Sequence, residues 1–320
     1  MKLLVLGASS QLGREISALL KSQGVACSAL ASSEIDLLRQ MEVVKAVTRI
    51  DPTQVVNVAS YSNLEKAESD PDSARECDII NSRGVSILAE VCKHLNLPLI
   101  HHSSSYVFDG TKKSPYTEDD QSNPVSRYGM SKWYGERAIR ETLERHIILR
   151  TDWMFSVHRN KFIKMHIEAC KKQQGHTQVM NHRFSPTPAD DVARVVLAIA
   201  RQIDCEAQVW GTYHYGALQP LSQAQFVETI LREACQYDSE LSAVVERLDI
   251  EVVPVKLPYI ANTMLSCQKI METFGIKQRS RAAGIAAVLE DIYHPGRVAQ
   301  KQQSVSPGSG KAPETKTPRK

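Results

Sequence analysis

The chain has 320 residues, 42% of them hydrophobic and 23% charged, which suits one large globular domain or two closely joined ones at roughly 100–200 residues each. Its net charge of +3 comes partly from Lys301, Lys311, Lys316, Arg319 and Lys320 against Glu314, so the body is near neutral, which argues against nucleic acid or a membrane surface as a partner. No apolar run approaches the about 20 residues of a membrane span, and Leu3-Leu4-Val5-Leu6 runs directly into a glycine loop, so a cytoplasmic location is expected.

Apolar strand-like runs alternate with helix-period segments through the first half, the mark of stacked βαβ units on a parallel sheet. Leu3 to Leu6 reads as a strand, and Leu12 to Gln23 as a helix stopped by Gly24. Val25 to Leu30 is a strand, Met41 to Ile50 a helix ended by Asp51-Pro52, and Gln54 to Ala59 a buried strand. A helix over Ser73 to Leu95 leads into a strand over Leu97 to His102. Tyr128 to Leu143 reads as helix, His146 to Arg150 as strand, and Val192 to Gln202 as a later helix.

Phe155 to Gln178 and Leu221 to Phe274 lack clear alternation and read as irregular, helix-rich pieces. The expected fold is α/β, a Rossmann-type doubly wound parallel sheet with a smaller, discontinuous substrate-binding part. Residues 1–152 are expected to form the sheet domain, with 185–216 rejoining it. Residues 153–184 and 217–296 make the substrate part, and 297–320 a disordered basic tail. Seven cysteines stand singly, without metal-ligand spacing, and read as reduced thiols.

Gly7-Ala8-Ser9-Ser10-Gln11-Leu12-Gly13 joins the first strand to the first helix. Gly7 permits the tight turn, Gly13 lets the helix pack closely, and the helix N-terminus aims backbone N–H groups at a pyrophosphate. Ser10 stands where the GxxGxxG pattern has glycine; its hydroxyl either weakens binding or adds a hydrogen bond. Ser28-Ala29-Leu30-Ala31 offers neither a carboxylate for a ribose 2′-hydroxyl nor an arginine for a 2′-phosphate, which favours NADPH slightly, with NADH also admissible. Asp36 reaches the adenine edge or starts the next turn.

Tyr128 and Lys132 are four apart at the start of a helix, on one face. A phenol with a pKa of about 10 is a poor acid–base group at neutral pH, and a neighbouring ammonium stabilises its phenolate. The same ammonium can hold nicotinamide ribose hydroxyls. Ser103-Ser104-Ser105-Tyr106 follows a strand whose carboxyl end is where such sheets bind ligands, and a serine hydroxyl there can polarise a carbonyl.

The run His102 to Gly110, with Tyr116, Glu118, Asp120, Asn123-Pro124 and Tyr128 to Lys132, resembles dTDP-4-dehydrorhamnose reductases of the extended short-chain dehydrogenase/reductase superfamily. Val56-Asn57 to Ala59, Lys66-Ala67-Glu68, Asn81, Arg150-Thr151 with Trp153, and Ser185-Pro186-Thr187 extend the resemblance, which covers about residues 1–295. It implies NAD(P)H-dependent reduction of the 4-keto group of a nucleotide-linked 6-deoxyhexose. Ser104 would bind the carbonyl, Tyr128 donate the proton and Lys132 anchor the cofactor. Gly7, Ser10, Gln11, Leu12, Gly13, Asp36, Ala59, Tyr61 and Asn81 would complete the cofactor site, and Ser105, Tyr106 and Trp153 would face the substrate. The family's aspartate after the carbonyl-binding hydroxyl is Ser105 here.

Two other readings stay open. One is an epimerase or dehydratase on the same scaffold, opposed by the missing carboxylate at Ser104-Ser105. The other is a non-catalytic NADP-binding regulatory protein similar to the methionine adenosyltransferase β-subunit, favoured by Ser10 and Ser105. A nucleotide sugar is the expected partner, with a homodimer open. His101, His102 and His214 lack the acidic company of a metal site, Lys171-Lys172 reads as solvated surface, and Asp190-Asp191 as a helix N-terminal pair.

Overall fold

Alternate residues of β1 (Lys2–Leu6) serve two helix layers: Leu3 and Val5 enter one buried cluster, Leu4 and Leu6 another. The structure, a computed structural model, describes residues 1–295, so the expected tail lies outside the described residues. In chain order there follow α1 (Gln11–Ser22), β2 (Ala26–Leu30), α2 (Gln40–Ile50), β3 (Gln54–Asn57), α3 (Leu64–Ser69) and α4 (Pro71–Asp78). A π-helical turn (Ile79–Arg83) joins α4 to α5 (Gly84–His94). β4 (Leu99–Ser104), a short 3-10 turn (Ser105–Val107), α6 (Arg127–Thr142) and β5 (His146–Thr151) complete the first half.

The second half runs β6 (Met154–Phe155), α7 (Lys161–Lys172), β7 (His176–Met180), β8 (Arg183–Phe184), β9 (Thr187–Pro188), α8 (Ala189–Asp204) and β10 (Gly211–Tyr215). It ends with β11 (Leu221–Ser222), α9 (Gln223–Ala234), α10 (Ser239–Val245), β12 (Asp249–Val253), α11 (Gln268–Phe274) and α12 (Ala282–Tyr293).

Six strands pair in the order β2-β1-β3-β4-β5-β10, all parallel. The order reverses between β1 and β3, the switch point outside which such sheets bind ligands. α1 and α8 cover one face; α2, α5 and α6 cover the other. Parallel crossovers are right-handed, so reversing the direction in which strands are added moves the helices to the opposite face.

A separate core gathers Phe155, Ile163, Ile167, Phe184, Phe226, Ile230 and Leu289 from segments far apart in sequence. Two features depart from the sequence reading. Residues 267–276, expected beside this second core, return to the sheet: Cys267, Ile270, Phe274 and Ile276 pack with the α1–α8 layer. The stretches read as irregular also hold a parallel pair, β7 with β12, whose short alternation of Ile250 and Val252 is interrupted by acidic residues.

α6 is held on the sheet by a charge. Glu136 is fully buried and takes two hydrogen bonds from the Arg150 guanidinium on β5, at 2.8 and 2.6 Å, and a third from Arg140 at 3.0 Å. Burial by itself would raise its carboxyl; Arg150 outweighs that and holds it at about 2. Glu136→Ala leaves Arg150 buried without its carboxylate, so a loss of about 3–5 kcal/mol is expected in urea unfolding. A loss within the about 0–1 kcal/mol of a surface pair would show that α6 does not depend on it.

Candidate active site

The loop after β1 turns at Gly7, where φ is +90°, and a Cβ there would lie 2.5 Å from the Ala59 nitrogen beyond β3. A Cβ on Gly13 would lie 2.2 Å from the Gly7 carbonyl oxygen. Both glycines are therefore required by close backbone approach at the switch point. Ser10 sits at φ −69° and ψ 162°, which any residue adopts, so the glycine of the usual pattern is not needed there. Its hydroxyl caps α1 by accepting from Gly13 N–H at 3.0 Å. Ser10 N–H itself donates to the Gly7 carbonyl, which leaves the N–H groups of Gln11 and Leu12 at the helix mouth.

Gln11 adds a buried side-chain amide nitrogen with no hydrogen-bond partner among the described residues. An N-terminal N–H pair, an orphaned amide and a cradle sized for bare backbone fit the diphosphate of a dinucleotide. At the end of β2, Ser28–Ala31 holds no acid, but the segment that follows brings one close. The turn from Ala31 brings the Glu34 carboxylate back to accept from Ala31 N–H at 2.8 Å, so this strand end does carry an acid. Asp36 is exposed, accepts from Leu38 N–H at 2.9 Å and lies 3.5 Å from Arg39. It starts the turn.

Asn81, expected in the cofactor site, turns its side chain into the fold. It is fully buried in the π turn, where its carbonyl accepts from Tyr61 N–H at 2.9 Å and from the Ser60 hydroxyl at 3.0 Å. Its amide donates to the Tyr61 carbonyl and the Ser131 hydroxyl, each at 3.0 Å. One side chain thus shapes the Ala59–Tyr61 loop on one side of the crevice and ties it to α6 on the other. Single π turns inside helices are often found at functional sites, and no residue spacing in the sequence distinguishes this one.

The structure brings Ser104, Tyr128 and Lys132 together. The Ser126 hydroxyl caps α6 by accepting from Gly129 N–H at 3.0 Å, which starts the helix just before the tyrosine. Tyr128 is buried; desolvation raises its phenol pKa, and hydrogen bonding with the Ser104 and Ser60 hydroxyls opposes the rise. It stays protonated at neutral pH, the state a proton donor needs. The nearby guanidinium that also opposes the rise is Arg159, which reaches over from beyond β6 to donate to the Ser62 hydroxyl at 3.0 Å.

Lys132 is almost fully buried and donates to the His102 carbonyl at 2.7 Å. Desolvation pulls its pKa down to about 8 against the attraction of Glu136. Tyr106 packs edge-on to Tyr128, with ring centroids 5.9 Å apart. Trp153 lies in an aromatic group at the edge of the second core, its ring centroid 5.0 Å from Phe162 and 5.7 Å from Phe226.

Ser105 has no exposed surface with which to touch a substrate; its hydroxyl turns inward and donates to the Asp152 carboxylate at 3.3 Å. Asp152, with Glu136 and Arg159, is absent from the sequence reading, which gives Arg150 no role beyond the resemblance. The juxtaposition of Arg150-Thr151 with the serine cluster in the resemblance was the signal available for it.

Comparison with known proteins gives a consistent picture. The family described as the RmlD substrate binding domain matches residues 1–294. A dTDP-4-dehydrorhamnose reductase of Sinorhizobium fredii is 32% identical over 283 residues, 87% of this chain and 93% of that protein. A crystal structure of a dTDP-4-dehydrorhamnose reductase from Clostridium acetobutylicum is 28% identical with a TM-score of 0.75, covering 91% of this chain and 98% of that one. One from Bacillus anthracis, solved in complex with NADP, has a TM-score of 0.73 at 24% identity over 89% of this chain and 96% of that one. At that identity the likeness is one of fold.

The Asn81 network has a direct local readout. Asn81→Ala removes the partners of Tyr61 N–H and carbonyl, and at about 1–3 kcal/mol for a buried group left unpaired, amide exchange at Tyr61 is expected to quicken roughly 10- to 100-fold. Unchanged exchange there, measured by mass spectrometry, would show that the loop is held by other contacts.

Proposed function

Because the chain belongs to the RmlD substrate binding domain family, shared with the dTDP-4-dehydrorhamnose reductases, we propose that it reduces the 4-keto group of a dTDP-linked 6-deoxyhexose with NADPH, yielding dTDP-L-rhamnose. The observation that carries this reading is the meeting of Ser104, a protonated Tyr128 and a buried Lys132 at the carboxyl ends of β4 and β5, beside the nucleotide loop.

Bound NADPH supplies the hydride that reduces the carbonyl carbon. The Ser104 hydroxyl donates to the carbonyl oxygen and fixes its direction. As negative charge grows on that oxygen, the Tyr128 O–H gives it a proton, completing the alcohol. The Lys132 ammonium holds the ribose of the cofactor, and its charge favours the phenolate left on Tyr128. Gln11, Leu12 and the Gly7–Gly13 cradle take the diphosphate, with Ala59 and Tyr61 on the opposite wall. Trp153 and Tyr106 border the sugar. NADH is a second donor to be measured beside NADPH.

The test mixes the full chain with dTDP-4-dehydrorhamnose and NADPH and follows absorbance of the reduced nicotinamide. Tyr128→Phe is expected to lower kcat by about 100-fold or more, since general acid catalysis is worth that much. No oxidation by the wild type, with NADPH still bound in calorimetry, would favour the non-catalytic reading. Lys132 is charged below about 8 and neutral above it, so the rate is expected to fall as pH rises through about 8. A rate level from pH 7 to 10 would remove the ammonium from the mechanism. Gly13→Ala is expected to abolish NADPH binding in calorimetry, and retained affinity would displace the diphosphate from this loop.

A further inference from the structure

Asp152 follows β5 and is 5% exposed, yet its carboxylate faces the residue beside the carbonyl-binding serine. The placement follows from register. Ser104 pairs with Thr151 across β4 and β5, so the residue after each strand end, Ser105 and Asp152, also come together. The Asp152 carboxylate accepts from Ser105 Oγ at 3.3 Å and Trp153 N–H at 2.7 Å through one oxygen, and from Ser185 N–H at 2.6 Å through the other. Thr263 adds a further side-chain bond.

We propose that Asp152 is a positioning residue that sets the Ser104–Ser105 turn, holding Ser105 Oγ so that the Ser104 hydroxyl keeps its aim at the substrate carbonyl. The inference rests on the reductase reading. In the family pattern a carboxylate stands at position 105; here the hydroxyl stands there, and the carboxylate comes from the neighbouring strand. Here the acid and the hydroxyl that meet at this turn are Asp152 and Ser105. The same carboxylate takes N–H groups at residues 153 and 185, where the chain leaves for and returns from the second core, so it ties the turn to the walls of the substrate crevice.

Burial raises the Asp152 pKa to about 6, opposed by the bonds from Ser185, Thr263, Trp153 and Ser105. The elements around it are the 3-10 turn, the strand ends at 151–154, the return at 185 and the segment at 263. From these, the titratable group coupled to it is the Tyr106 phenol, which burial and then Asp152 hold well above its ordinary value and so neutral. Above about pH 6 both carboxylate oxygens accept; below it one becomes an O–H that faces the donors already there, and the hold on the turn weakens.

A spectroscopic and a kinetic measurement test this together. The infrared difference between wild type and Asp152→Asn is expected to show one buried carboxyl band titrating near about 6. Ser105→Ala, which removes a donor to the carboxylate, is expected to move that titration upward. A band that does not move overturns the contact, whether or not the protein turns over substrate. In turnover, Asp152→Asn is expected to lower kcat about 10- to 100-fold with KM little changed, as misplacement of a reacting group does, and to abolish the fall in rate below about pH 6.

The exchanged pair Ser105→Asp with Asp152→Ser is expected to recover most of the kcat lost in Asp152→Ser alone. A double variant no better than the single, or a pH profile unchanged in Asp152→Asn, overturns the positioning role and leaves Asp152 as a structural tie. A wild type that oxidises no NADPH removes the reductase reading and the positioning role with it, while the infrared titration still reports the contact separately.

Discussion

Glu136 and Arg150 meet in the interior with two short hydrogen bonds, and the ammonium of Lys132 sits one helical turn from that carboxylate. A buried ion pair contributes little when compared with an apolar pair of the same volume, but breaking it is costly, because either charge left alone is stranded away from water. That asymmetry fixes where α6 crosses the sheet. Tyr128 and Lys132 ride on this helix, and Ser104 stands on β4, the strand beside Arg150. Fixing α6 therefore fixes the whole proton-transfer group.

Electrostatics also order the site internally. Glu136 is held low by Arg150 and stays charged, so it steadies the buried Lys132 against the desolvation that draws its pKa to about 8. Tyr128 moves the other way, protonated by burial. The spacing of Tyr128 and Lys132 reads as an ammonium that favours the phenolate. In the structure burial outweighs the Ser104 and Ser60 hydroxyls and Arg159, which pull the phenol the other way, and this suits a residue that must first carry the proton it gives.

Packing carries the same logic to the crevice walls. Asn81 turns both ends of its amide into the fold, onto the Ser60–Tyr61 loop, Ser131 and Cys77. Arg159 with Ser62, and the Tyr259 hydroxyl with Glu65 at 3.0 Å, join the second core to the same loop region. The crevice is thus bordered by contacts between parts of the chain nearly two hundred residues apart, and its shape depends on both cores being formed.

Local chemistry was legible in the sequence wherever a residue's role depends on neighbours within a turn. The strand–glycine–helix loop, the tyrosine and lysine on one helical face, and a serine at a strand end all follow from short spacing and the two structural periods. So did the α/β class, since alternating strands and helices admit few arrangements. Tertiary structure alone decided the rest. Ser10 proved acceptable because of the φ it adopts, and Glu34 reached the end of β2 because the turn folds back. Residues 267–276 joined the sheet because their apolar face fits the α1–α8 layer. Ser105 met Asp152, 47 positions away, only through the register of β4 on β5. Such contacts are set by which strands become neighbours and in what alignment, and single-residue spacing along a chain holds no record of that.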